Sequence, residues 1–355
     1  MFQLTPFSDS SFIVNNIDTT PKYIQNYLKN KKELNEELTM REDIRSRLSN
    51  ISKEYKEAKP IYMIEQENHT NRQTFFLNNL LRIKNLYTNP LSHFQEDKSN
   101  YILKKDIMPY EKKDMNFERK IHTYNNIKYR KKLEQEYEKI AIKPNYNEKY
   151  IFVALHYQPE ETSIPTGGLY GTQALIIELL HSFLSTEYKI YIKEHKTQLN
   201  YSYQGAMGRN LNFYQEILNI SDRVQFVPVD EDPFLLIDNA VVTATISGTI
   251  GWESIIRGTP TIVFGRAWYE DMIGVFKIKS LDDLNNNWNE ILLLKNNISF
   301  DKIEEYHRKM QTFFIEASHY KAFQHRYNRT SSESCFNIVN GIENHLNRVD
   351  FFRKI

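Results

Sequence analysis

One cysteine, Cys335, stands among 355 residues, so no intrachain disulfide can form and a reducing compartment suits the chain best. Neither sign of charge is in excess: 46 Lys and Arg against 45 Asp and Glu leave a net charge of +1. That balance argues against a dedicated nucleic-acid binder, whose domain is usually strongly basic. Long apolar runs are missing too. The most apolar helical stretch, ALIIELLHSFL, is broken by Glu178 and His181 and falls short of the ~20 residues that a bilayer span needs. The opening MFQLTPFSDSSF has no basic segment followed by an apolar run, so it does not read as a secretory signal. No internal repeat and no metal-ligand spacing is found. The expectation is a cytoplasmic protein without a transmembrane segment, at most peripheral at the inner membrane, needing neither metal nor nucleic acid.

What the chain does have is length and a usable core. Apolar residues make up 40% of it, although the mean hydropathy is −0.60. Its length suits two domains of roughly 100–200 residues each. The pattern changes near residue 148. Before it, YIQNYLKNKKELNEEL, TFFLNNLLRIKNLY and the run from Asn126 to Ile142 read as amphipathic helices with solvated charged faces. The basic cluster Lys128, Arg130, Lys131 and Lys132 reads as one such face. Only FIVNNI and PIYMIE look strand-like there.

After residue 148 strands and helices alternate. KYIFVAL, YKIYIKEH, RVQFVPV, AVVTATI and TPTIVFG read as strands, separated by the helices GTQALIIELLHSFL, NLNFYQEILNI, DPFLLIDN and IGWESIIRG. Alternation of this kind predicts βαβ units, hence an α/β fold with a Rossmann-type parallel sheet covered by helices. SLDDLNNNWNEILLL and the stretch from Ile303 to Ala317 add later helices. The expected division is a mostly helical region 1–148, a Rossmann-like α/β domain 149–320 and a helical extension 321–355.

In such a sheet ligands bind beyond the carboxyl ends of the strands. Four loops at those ends carry polar residues: 156–168, 193–196, the SGTIGWE turn and 265–271. At Ser247-Gly248-Thr249 a strand turns into a helix. Unpaired N–H groups and the helix dipole favour an anion there, and glycine allows close backbone approach. The alternative is a plain N-cap. Glu253, one turn on, is within reach of a ribose hydroxyl or is an ordinary first-turn acid. His195 at a strand end suits a phosphate or a sugar carboxylate, with Lys193, Lys196 and Arg209 as further positive charge. His156, Glu160 and Glu161 form a cluster with acid–base potential beside a flexible Gly167-Gly168. Asp230-Glu231-Asp232 imitates an acidic metal motif but precedes Pro233, so these read as helix-capping acids.

These residues carry a resemblance to the capsule polysaccharide biosynthesis family, which includes transferases of Kdo, an eight-carbon sugar acid, from CMP-Kdo. FVALHYQPEETSIPTGGLYGTQ, YIKEH, RNLNFYQ and ATISGTIGWESIIRGTPTIVFGRAWY occur in the family's order over roughly residues 149–270. The resemblance implies a GT-B-like nucleotide-sugar half-site and a glycosyltransferase of surface polysaccharide synthesis. In it His195, Ser247, Gly248 and Thr249 would hold the donor phosphate and Glu253 the ribose or sugar. Gln158 and Glu160 would face the reacting centre, with Glu160 as base or nucleophile. Two departures stand out: Lys196 replaces a usual Pro, and residues 1–148 show no second βαβ series, so a partner chain supplying the missing half is one expectation. The alternatives are a non-catalytic partner that binds nucleotide-sugar or glycan in a capsule assembly complex, and a sugar-nucleotide epimerase.

Overall fold

The computed structural model describes residues 2–7, 11–13, 20–29, 38–59, 64, 115–160, 162–199, 208–317 and 327–348. The chain opens with two short strands, β1 (Phe2–Leu4) and β2 (Ser11–Ile13). The helices α1 (Lys22–Lys29), α2 (Glu42–Ile51), α3 (Tyr55–Ala58) and α4 (Met115–Ile140) follow. PIYMIE, apart from Ile64, and TFFLNNLLRIKNLY lie outside the described residues.

The second part alternates as its sequence predicts. Strand β3 (Tyr150–Ala154) leads to α5 (Ala174–Phe183), and β4 (Lys189–Lys193) to α6 (Lys196–Leu199) and α7 (Phe213–Leu218). Next come β5 (Val224–Phe226), α8 (Pro233–Asn239), β6 (Val242–Thr245), α9 (Thr249–Ile256) and β7 (Thr261–Val263). A sixth strand, β8 (Val275–Lys277), was not foreseen, because no helix separates it from β7 and the alternation that marks the other strands is missing. The remaining elements are α10 (Leu281–Leu294), α11 (Phe300–Met310), β9 (Phe314–Ile315) and α12 (Ser331–Arg348).

All six strands of the main sheet are parallel, in the order β5-β4-β3-β6-β7-β8. The chain thus builds outward from β3 on one side and then returns to add β6, β7 and β8 on the other. This is the α/β, Rossmann-type parallel sheet that the alternation predicts. Its strand order reverses between β3 and β6, and a ligand crevice opens at such a point.

Successive residues of β3 serve two cores, as a strand buried on both faces requires. Tyr150 and Phe152 join one, with Trp252, Trp268 and Met310; Ile151 and Val153 join the other, with Ile177, Leu180 and Phe226. The first core also contains Phe7, Phe12, Ile24, Ile44, Leu48 and Ile51, and the second contains Leu133 and Tyr137 of α4. The described parts of region 1–148 therefore pack into both cores of the sheet domain. A small antiparallel sheet, β1-β2-β9, ties the start of the chain to residues 314–315, and α12 lies against β2 and β9. No parallel strand pair occurs among the described residues before 149.

Candidate functional site

His156 stands just beyond β3 and holds the two sides of the switch point together. Its Nε2 is 2.9 Å from Thr245 Oγ1, at the end of β6, and accepts the Ser247 amide at 3.2 Å. Its backbone is clamped by one side chain: the His156 amide donates to Gln173 Oε1 at 2.7 Å, and Gln173 Nε2 returns a bond to the His156 carbonyl at 3.1 Å. The ring is buried, and desolvation pushes its pKa down to about 3, helped by His195 and Arg209. A neutral, fully engaged imidazole positions the turn and does not shuttle protons near pH 7. Its Nδ1 is 3.5 Å from Thr162 Oγ1, and that hydroxyl donates to Glu160 Oε2 at 2.8 Å.

The Ser-Gly-Thr turn opens α9 with Gly248 at the N-cap, where no side chain caps the helix. The Gly248 carbonyl accepts the Tyr269 hydroxyl at 2.5 Å and the Gly251 amide at 3.1 Å. A Cβ on Gly248 would come within 3.1 Å of Thr245 Oγ1 and 3.3 Å of His156 Nε2, so a side chain here would press on the contact that joins them. The amides of Thr249 and Ile250 have no acceptor among the described residues, which leaves the positive helix end open to an anion. Ser247 differs from its expected role. Its hydroxyl donates to the Thr162 carbonyl at 2.8 Å and so binds the turn to the β3 loop rather than pointing a proton at a phosphate.

On the β4 side, His195 accepts the Thr197 amide on Nδ1 at 3.3 Å, which leaves the ring proton on Nε2. Burial, then Lys193 and Arg209, lower its pKa to about 4. It therefore offers a neutral N–H, not a cation. Lys193 is itself driven down to about 8 by burial, and Lys196 is paired with Asp230 at 2.7 Å.

Arg209 is fully consumed beneath the crevice. Its Nε lies 2.8 Å from Glu194 Oε2, both side chains being wholly buried. Tyr214 adds a bond to Glu194 at 2.9 Å, and Arg209 also donates to the His156 carbonyl at 3.0 Å and to Gln158 Oε1. Gln158, expected to face the reacting centre, is instead buried. Its Nε2 donates to the Gly171 carbonyl at 2.9 Å, so both ends of the amide are used to hold the loop. Gln198 completes that frame, bonding the Gln158 amide at 2.8 Å and its carbonyl at 2.9 Å.

Glu253 is also turned away from the expected role. It is 5% exposed and meets Arg47 of α2, whose guanidinium lies 3.6 Å from Oε1. Burial raises its pKa to about 7, against the pull of Arg47 and Arg257. Glu160 alone of the acid–base cluster is exposed at the crevice edge; Glu161 lies outside the described residues. Asp232 caps α8, accepting the Phe234 amide at 2.8 Å, as the capping reading predicts. Among the described residues no group of His, Cys, Asp and Glu is placed to hold a metal, and no helix is long and apolar enough to cross a membrane.

Gln173, Glu194, Gln198 and Thr162 were missed in the sequence. Each works through a contact made across dozens of residues or a tight loop, and no local spacing signals that. Arg130 was misplaced. Lys128, Lys131 and Lys132 do form a solvated face, but Arg130 between them is 1% exposed.

A model of the capsule polysaccharide biosynthesis protein family matches residues 55–325. No curated protein matches the chain. Among solved structures, the beta Kdo 2,7 transferase of Thermosulfurimonas dismutans KpsC is 13% identical with a TM-score of 0.34, over 57% of this chain and 61% of that one. The beta Kdo 2,4 transferase of the same organism's KpsC is 12% identical with a TM-score of 0.31, over 57% and 56%. UDP-GlcNAc 2-epimerase from Methanocaldococcus jannaschii is 16% identical with a TM-score of 0.31, over 51% and 49%. The chain thus spans about half to three-fifths of the length of these structures.

Proposed function

Because the chain belongs to the capsule polysaccharide biosynthesis protein family, we propose that its switch-point crevice binds a nucleotide-activated sugar and that the protein is a glycosyltransferase of surface polysaccharide synthesis. CMP-Kdo is the first candidate donor, and a glycan or glycolipid hydroxyl the acceptor. The observation that carries this reading is the open end of α9, held against β3 by His156.

In this reading the donor phosphate lies against the Thr249 and Ile250 amides, with the Thr249 hydroxyl and His195 Nε2–H as further donors. Ser247 and Gly248 shape the turn without a direct hydroxyl contact. The acceptor oxygen attacks the anomeric carbon. The bond from that carbon to the phosphate oxygen breaks, and the acceptor proton passes to the Glu160 carboxylate. Fixed donors aimed at the departing phosphate stabilise the charge that develops on it. Gln158 and Glu253 act as positioning residues, Gln158 through the loop and Glu253 through α2.

The buried state of Gln158 favours a second reading, a non-catalytic nucleotide-sugar or glycan binder, since it removes one group from the reacting centre. Calorimetric titration with CMP, UMP, UDP and GDP tests the site. Selective binding of one nucleotide, weakened at least ten-fold in Thr249→Ala, is expected. Absence of any binding would overturn the site assignment. Binding without sugar transfer to any capsule glycan would leave the second reading.

A further inference from the structure

Arg130 has no counter-charge among the described residues. It is 1% exposed, and none of its three guanidinium nitrogens has a hydrogen-bond partner among the described residues. No other described side chain has three such nitrogens. An arginine cannot escape burial by losing its proton, so an unpaired buried guanidinium is a standing demand for an anion. The neighbouring acid on its helix does not meet it: Glu134 is influenced by Glu138, Lys131 and Asp230, not by Arg130. The titratable group acting on Arg130 is the Tyr157 phenol.

The location follows from α4. Arg130, Leu133 and Tyr137 are spaced to share one face of the helix, and all three are buried. Tyr137 fixes that face at the end of β4, where its hydroxyl accepts the Glu194 amide at 3.0 Å and donates to the Val227 carbonyl at 2.7 Å. Tyr129 fixes the adjoining turn, donating to the Arg209 carbonyl at 3.1 Å. Tyr157, two residues beyond Leu155 in the β3 loop, is half-buried, and its ring centroid lies 6.2 Å from that of His195. The helix α4 packs against α6, which follows His195 on the β4 side of the crevice, and the field of the Tyr157 phenol reaches Arg130 from there.

We propose that Arg130 is a binding residue for an oxyanion, phosphate or carboxylate, of the ligand that occupies the crevice, reached beside Tyr157 and His195. The proposal rests on the reading of the switch point as a ligand site and adds to it a cation from the region before the sheet domain. The guanidinium presents a planar fork that matches either oxyanion with two parallel hydrogen bonds.

The test uses the full chain with three probes, inorganic phosphate, CMP and the free sugar acid Kdo, by calorimetry and thermal melting. Arg130→Met is expected to melt no lower than the wild type without ligand, because it removes a charge that has no partner. It is also expected to weaken at least one probe ten-fold or more. Loss for phosphate and CMP assigns the oxyanion to a phosphate; loss for Kdo alone assigns it to a carboxylate. Arg130→Lys, which keeps the charge without the fork, is expected to lose several-fold on the same probe. An Arg130→Met protein that melts several degrees lower and binds all three probes within two-fold of the wild type would make Arg130 a packing residue and overturn the proposal. The two readings fail separately. CMP binding by the wild type together with binding of all three probes that Arg130 substitutions leave unchanged removes this proposal alone. Arg130-dependent binding in a protein that transfers no sugar removes the transferase reading alone.

Discussion

The His156 ring nitrogen Nε2 lies 2.9 Å from the Thr245 hydroxyl, joining the ends of β3 and β6 at the point where the strand order reverses. The same nitrogen takes the Ser247 amide, so the ring proton belongs on Nδ1, toward Thr162. One imidazole therefore decides where α9 begins and where the Glu160 loop stands. This is structural work with a direct consequence for ligand binding.

His156→Ala should remove both ties and leave the Thr245 hydroxyl and the Ser247 amide unsatisfied. A loss of about 1–3 kcal/mol per buried group left without a partner is expected. Urea denaturation measures that loss, and calorimetry should show nucleotide affinity falling at least ten-fold. Undiminished nucleotide affinity would mean that the α9 turn is held by other contacts.

Three imidazoles with strongly lowered pKa values contribute to the acid limb of stability. His156 is pushed down to about 3, and His195 and His307 to about 4, each mainly by burial. His307 accepts Trp252 Nε1–H at 2.8 Å and donates Nδ1–H to the Ile303 carbonyl at 2.7 Å, so its neutral form is fully bonded. The folded values lie below the ordinary 6.5, so the unfolded chain binds more protons. The stabilisation is complete above pH 6.5 and fades as pH falls toward 4. For His307 the shift corresponds to about 3 kcal/mol. His307→Gln keeps an acceptor for Trp252 and does not titrate. Its stability measured from pH 7 to 4 should fall less steeply than that of the wild type, and a parallel fall would exclude His307 as a contributor.

Glu253 titrates in the opposite sense. Burial lifts its pKa from 4.5 to about 7, so the folded protein prefers the neutral carboxyl. Relative to the unfolded chain, that preference costs nothing below pH 4.5; the destabilisation builds as pH rises from 4.5 to about 7 and is complete above it. Glu253→Gln should therefore gain on the wild type between pH 5 and pH 8, by up to about 3 kcal/mol. Attraction to Arg47 at 3.6 Å works against that gain. A constant difference between the two proteins across this range would show that Glu253 remains ionised when folded.

The Glu194–Arg209 pair is a place where one substitution should cost more than two. Both side chains are fully buried and 2.8 Å apart. Glu194→Gln or Arg209→Met alone leaves a buried charge unmatched, with an expected loss of about 3–5 kcal/mol. The double variant removes both charges and should recover part of that loss. Denaturation of all four proteins gives the coupling, and strictly additive losses would contradict it.

The sheet was legible in the sequence because β3, β4 and β6 are short apolar runs bounded by polar turns, and their alternation with helices admits few topologies. The turn at Gly248 was legible for the same reason: strand, small residues and helix follow one another directly. The partners of that turn were not. Ser247 bonds to Thr162 and His156 to Thr245, across 85 and 89 positions, and such pairings depend on the fold. Arg130 shows the limit of reading a charge run as a solvated face. Leu133 and Tyr137 form a buried stripe at helical spacing, and Arg130 lies on it. Glu253 was read in isolation from α2, although its acid and the Arg47 guanidinium meet only after folding.

Under the transferase reading, Glu160 is the proposed general base. Its carboxylate is exposed at the crevice edge and receives the Thr162 hydroxyl at 2.8 Å, and Thr162 in turn faces His156. The carboxylate is thereby tied through Thr162 to the same ring that fixes the Gly248 turn, and in the proposed reading this holds base and leaving-group site in one frame. A positioned general base contributes about 10²–10⁴-fold. Glu160→Gln keeps the shape and the Thr162 contact but cannot accept the acceptor proton. Its turnover with the active donor should fall by about that factor while nucleotide affinity stays within two-fold. Thr162→Val, which frees the carboxylate to rotate, should lower turnover by a smaller factor and leave the pH profile in place. Full activity in Glu160→Gln would move the base elsewhere in the crevice, and an equal loss of turnover and nucleotide affinity would make Glu160 a binding residue instead.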